Sequence, residues 1–136
     1  MIDIENILFT KVATALRAEF STIFVSGDVT AESAPYPRVF FYELSNQIAE
    51  RHMSSRDIND EQFVDLLYEA QIYSNKTSGK KAETKAIAAI INEVMQEHGF
   101  RRIFNQPLEN LNNATIARRV LRWVGVASDE GIIYRR

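Results

Sequence analysis

Apolar residues near the start of the chain recur at steps of three and four. Ile4, Ile7, Leu8, Val12, Ala15, Leu16 and Phe20 fall on one stripe, which predicts an amphipathic helix over residues 3–20. Asp3 is placed to cap it, and Glu5 adds negative charge where the helix dipole favours it. The run 22–26, TIFVS, then reads as a short strand closed by Gly27-Asp28. A loop follows to Pro37, and the aromatic run 38–44, RVFFYEL, is the next strand. At residue 45 the apolar pattern stops. Residues 45–61 form a polar segment without a period.

Period two returns over 62–74. Val64, Leu66, Tyr68, Ala70 and Ile72 share one face of a strand, and the other face mixes Asp65, Glu69 and Gln71 with Phe63, Leu67 and Tyr73. Residues 75–81 are a loop by composition. A second helix follows, with Ile87, Ile90, Ile91, Val94 and Met95 as its stripe and Ala82, Ala86 and Ala89 beside it. Gly99 stops it. Residues 100–104 read as a strand broken by Pro107, and an Asn-rich loop precedes a long strand over 115–126. A turn at 128–131 returns the chain as a closing strand over 132–134, paired as a hairpin.

The predicted order is α-β-β-β-α-β-β-β. Strands joined by loops usually pair antiparallel, and each amphipathic helix needs an apolar sheet face to cover. The expected fold is α+β: a single mainly antiparallel sheet with two amphipathic helices packed on it, in one domain spanning 1–136.

Composition narrows the chemistry. With 136 residues and 46% hydrophobic content the chain can build a real core, and 25% charged residues suit a globular domain. A net charge of -2 argues against a domain whose main task is gripping a nucleic-acid backbone. There is no cysteine, hence no disulfide, thiolate metal site or Cys nucleophile. Met1-Ile2-Asp3-Ile4-Glu5-Asn6 is not patterned as a secretory signal, and no apolar window is long enough for a membrane span, so the cytoplasm is the expected compartment.

Few residues offer catalytic or metal chemistry. His52 and His98 have no partner at ligand spacing, so no metal or other cofactor is expected. Ser78-Gly79-Lys80-Lys81 resembles part of a phosphate loop but lacks the upstream glycine and the magnesium-binding hydroxyl. Asp57, Asp60, Glu61 and Asp65 gather late in the polar segment with Arg56 beside them, the composition of a solvated acidic loop. The sequons at Asn75 and Asn113 carry no weight without an export signal. Seven arginines, among them Arg101, Arg102, Arg118, Arg119 and Arg122, crowd the last third with Phe104, Trp123 and Tyr134 among them. Strands of this kind can form a nucleic-acid surface, but no RNP-type run is present, and Arg118 and Arg119 point to opposite faces of one strand.

Order and spacing carry one resemblance across nearly the whole chain. Tyr36-Pro37-Arg38-Val39-Phe40 opens a strand, and Gln71-Ile72-Tyr73-Ser74-Asn75 ends another. A Lys-rich loop with Gly79 opens a helix that ends Gly99-Phe100-Arg101-Arg102. Then come Pro107-Leu108-Glu109-Asn110, Arg118-Arg119 with Arg122-Trp123, and Ile133-Tyr134. This layout is similar to the tail terminator (tail-completion, head–tail joining) proteins of long-tailed bacteriophages and prophages. The resemblance implies a small α+β protein without catalytic activity that assembles as a hexameric ring. The ring would cap the tail tube, end its polymerisation and meet the head connector, first in the host cytoplasm and then in the virion. Its implied partners are itself, the tail tube protein and the head connector protein, with no membrane and no specific nucleic acid, DNA only passing through the ring.

On that reading the polar segment 45–61 gains its missing burial against a neighbouring subunit or the tube. A ring joins one patch to a different one. Phe63, Leu67 and Tyr73 are the expected first side, and the strand 115–126 with Arg118, Arg119, Arg122 and Trp123 the second. Asp57 and Asp60 meeting those arginines would set register, and Arg38 is expected at the same interface. Two rivals from other classes are a nucleic-acid-binding module using the late arginines and a small enzyme using the carboxylates at 57–65.

Overall fold

The structure is a computed structural model that describes residues 2–28, 35–48, 63–108, 115–128 and 133–134. Two helices, α1 (Glu5–Glu19) and α2 (Lys80–Glu97), lie against a sheet of β1 (Phe24–Ser26), β2 (Arg38–Ile48), β3 (Phe63–Ser74), β4 (Arg101–Leu108), β5 (Ala117–Ser128) and β6 (Ile133–Tyr134). The strand order is β1-β2-β3-β5-β4, with β6 also pairing β5. All neighbours are antiparallel except β1 and β2, which are parallel. The α+β class, the single mainly antiparallel sheet and the element order are those read from the sequence.

Local chemistry accounts for the helix ends. The N-cap position of α1 is Ile4, without a side-chain cap, and not Asp3 as expected, but Asp3 Oδ1 accepts the N–H of Glu5 at 3.0 Å just ahead of the first turn. Gly79 enters α2 at φ 80°, a left-handed conformation that glycine adopts without steric penalty, which explains the glycine that resembled a phosphate loop. Buried Ser74 at the end of β3 donates to Glu83 Oε1 at 2.6 Å and ties the strand to the first turn of α2. Gly99, at φ 88°, closes α2 in a Schellman motif. Its N–H reaches Gln96 O at 3.1 Å, and the N–H of Phe100 reaches Met95 O at 2.9 Å. Phe100 is thereby turned into the core.

Both helices sit on one face of the sheet. Leu8, Val12 and Leu16 of α1 and Ile87, Ile91 and Met95 of α2 pack with Val39, Phe41, Val64, Leu66, Tyr68, Ile72, Leu121 and Trp123 in one cluster. Phe41 stacks on Tyr68 at 5.5 Å, and Phe100 meets Tyr68 edge-on at 5.4 Å. From β3 the chain crosses to β4 through α2 and returns as β5 between them, so β3 and β4 both pair with β5.

Several local expectations are corrected. Ile7 is exposed, because the buried stripe of α1 runs through Leu8, Val12, Ala13 and Leu16. Ala82, Ala86 and Ala89 are also exposed, and Thr84 and Ala88 take their place on the buried face of α2. The strand expected to end at residue 44 runs on as β2 through residues 45–48 of the polar segment, and the rest of that segment, with Asp57 and Asp60, lies outside the described residues. Pro107 does not end β4. It pairs with Arg119 in a strand at the sheet edge, where a missing N–H leaves no ladder bond unmade.

Two bulges set the faces. Leu44 is inserted between Glu43 and Ser45 in β2, and Ile103 between Arg102 and Phe104 in β4. An inserted residue falls out of the alternation, and both of these apolar side chains are exposed, Leu44 at 42% and Ile103 at 48%.

Candidate assembly face

The second face of the sheet carries no helix among the described residues. It is built in cross-strand rows, because the odd positions of β3 face the even positions of β5. Arg38, Tyr73 and Arg118 form one row, and Phe40, Gln71 and Val120 the next. Tyr42, Glu69 and Arg122 form the third, extended on β4 by Phe104. Ser45, Leu67, Val124 and Arg101 follow, then Gln47, Asp65 and Val126, and Phe63 faces Ser128 at the end.

The first row is a stack of cations on aromatic rings. The Arg38 guanidinium lies 4.1 Å from the Tyr36 ring centre and 5.4 Å from that of Tyr73, and Arg118 lies 5.9 Å from the other neighbour of its row, the same Tyr73 ring. Phe40 packs edge-on to Tyr73 at 5.8 Å.

The middle rows form a hydrogen-bonded chain. The hydroxyl of Tyr73 donates to Gln71 Oε1 at 2.9 Å, and Gln71 Nε2 donates to the Tyr42 oxygen at 2.8 Å. Tyr42 donates to Glu69 Oε2, and Arg122 Nε donates to Glu69 Oε1 at 2.9 Å. Burial alone would push Glu69 up, but the bonds from Tyr42, Arg122 and Gln71 outweigh it and hold its carboxyl below the ordinary value. Burial, aided by the adjacent Glu69 carboxylate, pushes Tyr42 up to about 12. This network joins three strands and fixes the side chains of the face.

The interface residues expected from sequence are sorted by these rows. Phe63, Leu67 and Tyr73 share the helix-free face with Arg38, Arg118 and Arg122, as period two predicts. The two groups lie side by side within one chain, however, and not on separate patches of its surface. β3 and β5 are neighbours in one sheet, so Tyr73 faces Arg118 and Leu67 faces Val124 within the same chain. Arg119 is on the helix side, where Nη1 donates to Asn105 Oδ1 at 2.8 Å. Trp123 is also on that side, fully buried, its indole N–H bonded to Asn92 Oδ1 at 3.0 Å, so it belongs to the core and not to an interface. Sequence reading missed Glu69 and Tyr42 as the hub of the face, although their partner strands carried the signal in their alternation. It also missed Leu44 and Ile103, because only the paired sheet reveals a bulge.

Among the described residues no group of three metal-ligating side chains forms, and no helix is long and apolar enough to cross a membrane. No protein-family model matches the chain, and no curated protein matches it. A two-layer α+β domain whose second sheet face is cross-braced and carries no helix among the described residues is the class that the geometry defines.

Proposed function

We propose that the protein is a structural phage subunit of the tail-terminator kind. It forms a ring, a hexamer on this reading, that caps the tail tube, ends its polymerisation and joins the tail to the head connector. The residue pattern that resembles that family supports the reading, and the observed fold agrees with the one the resemblance implies. The observation that carries it is the placement of the two apolar bulges. Leu44 lies where β2 has run past its pairing with β1, and Ile103 lies on β4 at the other edge of the sheet. A closed ring needs two different patches that meet head to tail, and opposite sheet edges each present one. The braced helix-free face between them gives those edges a rigid mounting.

Native mass spectrometry over a wide concentration range, with negative-stain images of the same samples, tests this. Rings are expected for the parent chain, and Leu44→Asp and Ile103→Asp should each abolish them. Mixing the two variants should stop at dimers, because a pair restores one intact contact and places both substitutions in the other. Rings that survive either substitution would refute the edge-to-edge arrangement.

One observation favours a second reading, a nucleic-acid-binding module: Arg38 and Arg118 share the Tyr73 ring, an arrangement suited to stacked bases. Titration with short oligonucleotides at two salt concentrations separates the two, since such binding weakens steeply with salt.

A further inference from the structure

On the helix side, between α2 and the β4–β5 pair, lies a cavity of about 310 Å³. That is at the lower end of the range for small-ligand sites. Arg119 lines it and is buried, with only 6% of its surface exposed. Its single bond among the described residues is to the neutral amide of Asn105, and its Nε has no partner there. A buried cation is costly unless an anion compensates it. Here none of the described carboxylates pairs with it. Lys85 and Arg102 add two more cations to the lining, against the single carboxylate of Glu93.

The site is shaped by the fold and not by chance exposure. The bulge at Ile103 shifts the alternation of β4, so that Arg102 and Asn105, three apart, both fall on the helix side. Without the extra residue they would point to opposite faces, and Asn105 would not reach Arg119. Asn92, whose Oδ1 holds the Trp123 indole, also lines the cavity and keeps its amide N–H groups as further donors.

We infer that this cavity is a binding site for a small oxyanion, a carboxylate or phosphate group. Arg119 supplies the buried charge, and Lys85 and Arg102 draw the ligand in from the rim. A guanidinium holds five donors in a planar fork, so one fixed through Nη1 keeps others for a planar or tetrahedral anion. This site is on the other side of the sheet from the face described above and does not depend on assembly.

Trp123 is the only tryptophan of the chain and is bonded to the cavity wall, so its fluorescence and its indole N–H resonance report occupancy. The purified protein is titrated with inorganic phosphate and, separately, with succinate, each at constant ionic strength balanced by chloride. A saturable shift of the Trp123 signal with at least one probe is expected, and the probe that saturates lower identifies the preferred group. Arg119→Met should weaken that binding at least tenfold. The exposed-rim double variant Lys85→Ala with Arg102→Ala should weaken it severalfold and serves if the Met variant does not fold. No saturable response to either probe, or binding unchanged in these variants, would overturn the inference. Because the titration reads the same in a monomer or a ring, its outcome is independent of the proposed assembly.

Discussion

Gly125 and Phe100 offer a test of the packing argument. Gly125 lies on the helix side of β5, between Trp123 and Ala127, and the Phe100 ring fills the space that a side chain there would occupy. A Cβ at position 125 would come within 2.7 Å of Phe100 Cδ1 and Cε1, against the ordinary carbon contact of about 3.5–4.0 Å. The ring cannot simply swing away. It is 1% exposed and packs edge-on against Tyr68, which stacks on Phe41. Overpacking of this kind costs about 1–3 kcal/mol, and replacing a strand glycine by alanine returns about 0.5–1 kcal/mol of backbone entropy. Gly125→Ala should therefore destabilise the protein by about 1–2 kcal/mol. The assay is urea unfolding followed by Trp123 fluorescence, at one fixed protein concentration so that assembly does not shift the midpoint. Phe100→Ala will itself cost about 3–5 kcal/mol, but in that background the clash is gone. There, Gly125→Ala should become neutral or stabilising. An equal loss in both backgrounds would refute the claim that the ring and the glycine share one space.

The remaining predictions concern the polar network and the buried indole. Glu69 is held below the ordinary glutamate value, so its contribution is present above that value and is lost as pH falls through the folded one. Burial pushes Glu43 the other way, so its contribution is present at low pH and lost as pH rises. Glu69→Gln should thus lower the urea midpoint at pH 7 and converge on the parent in acid, while Glu43→Gln should not lower it at pH 7. Tyr42, raised to about 12, adds stability that is full below the free tyrosine value near 10 and is lost between the two. Tyrosinate absorbance set against unfolding at alkaline pH checks this, and Tyr42→Phe should remove its share. Trp123→Phe leaves Asn92 Oδ1 without its donor and should cost about 1–3 kcal/mol in thermal unfolding, with the oligomeric state in native mass spectra unchanged.

Much of this protein is written in local periodicity. The three-and-four spacing of α1 and α2 and the strict alternation of 64–72 identify elements and their faces, because a side chain's direction follows from the backbone repeat alone. The split of Arg118 from Arg119 follows in the same way, and Gly99 marks its helix end through the conformation it allows. What the chain does not encode locally is which strand lies beside which. β3 and β5 are separated by a helix and a strand, and only the closed sheet makes Tyr73 a neighbour of Arg118 and Glu69 the partner of Arg122. Parity within a strand is likewise relative. The alternation of β5 says that Trp123 and Arg122 part company, but the packing of α2 decides that Trp123 goes inward. Bulges at Leu44 and Ile103 reset that parity with no local repeat to mark them, and an edge position lets Pro107 sit inside a strand. Elements and faces are therefore properties of the sequence. The helix-free face and the cavity beneath α2 are properties of the tertiary structure, since each is made by side chains that meet only after non-local pairing has been chosen.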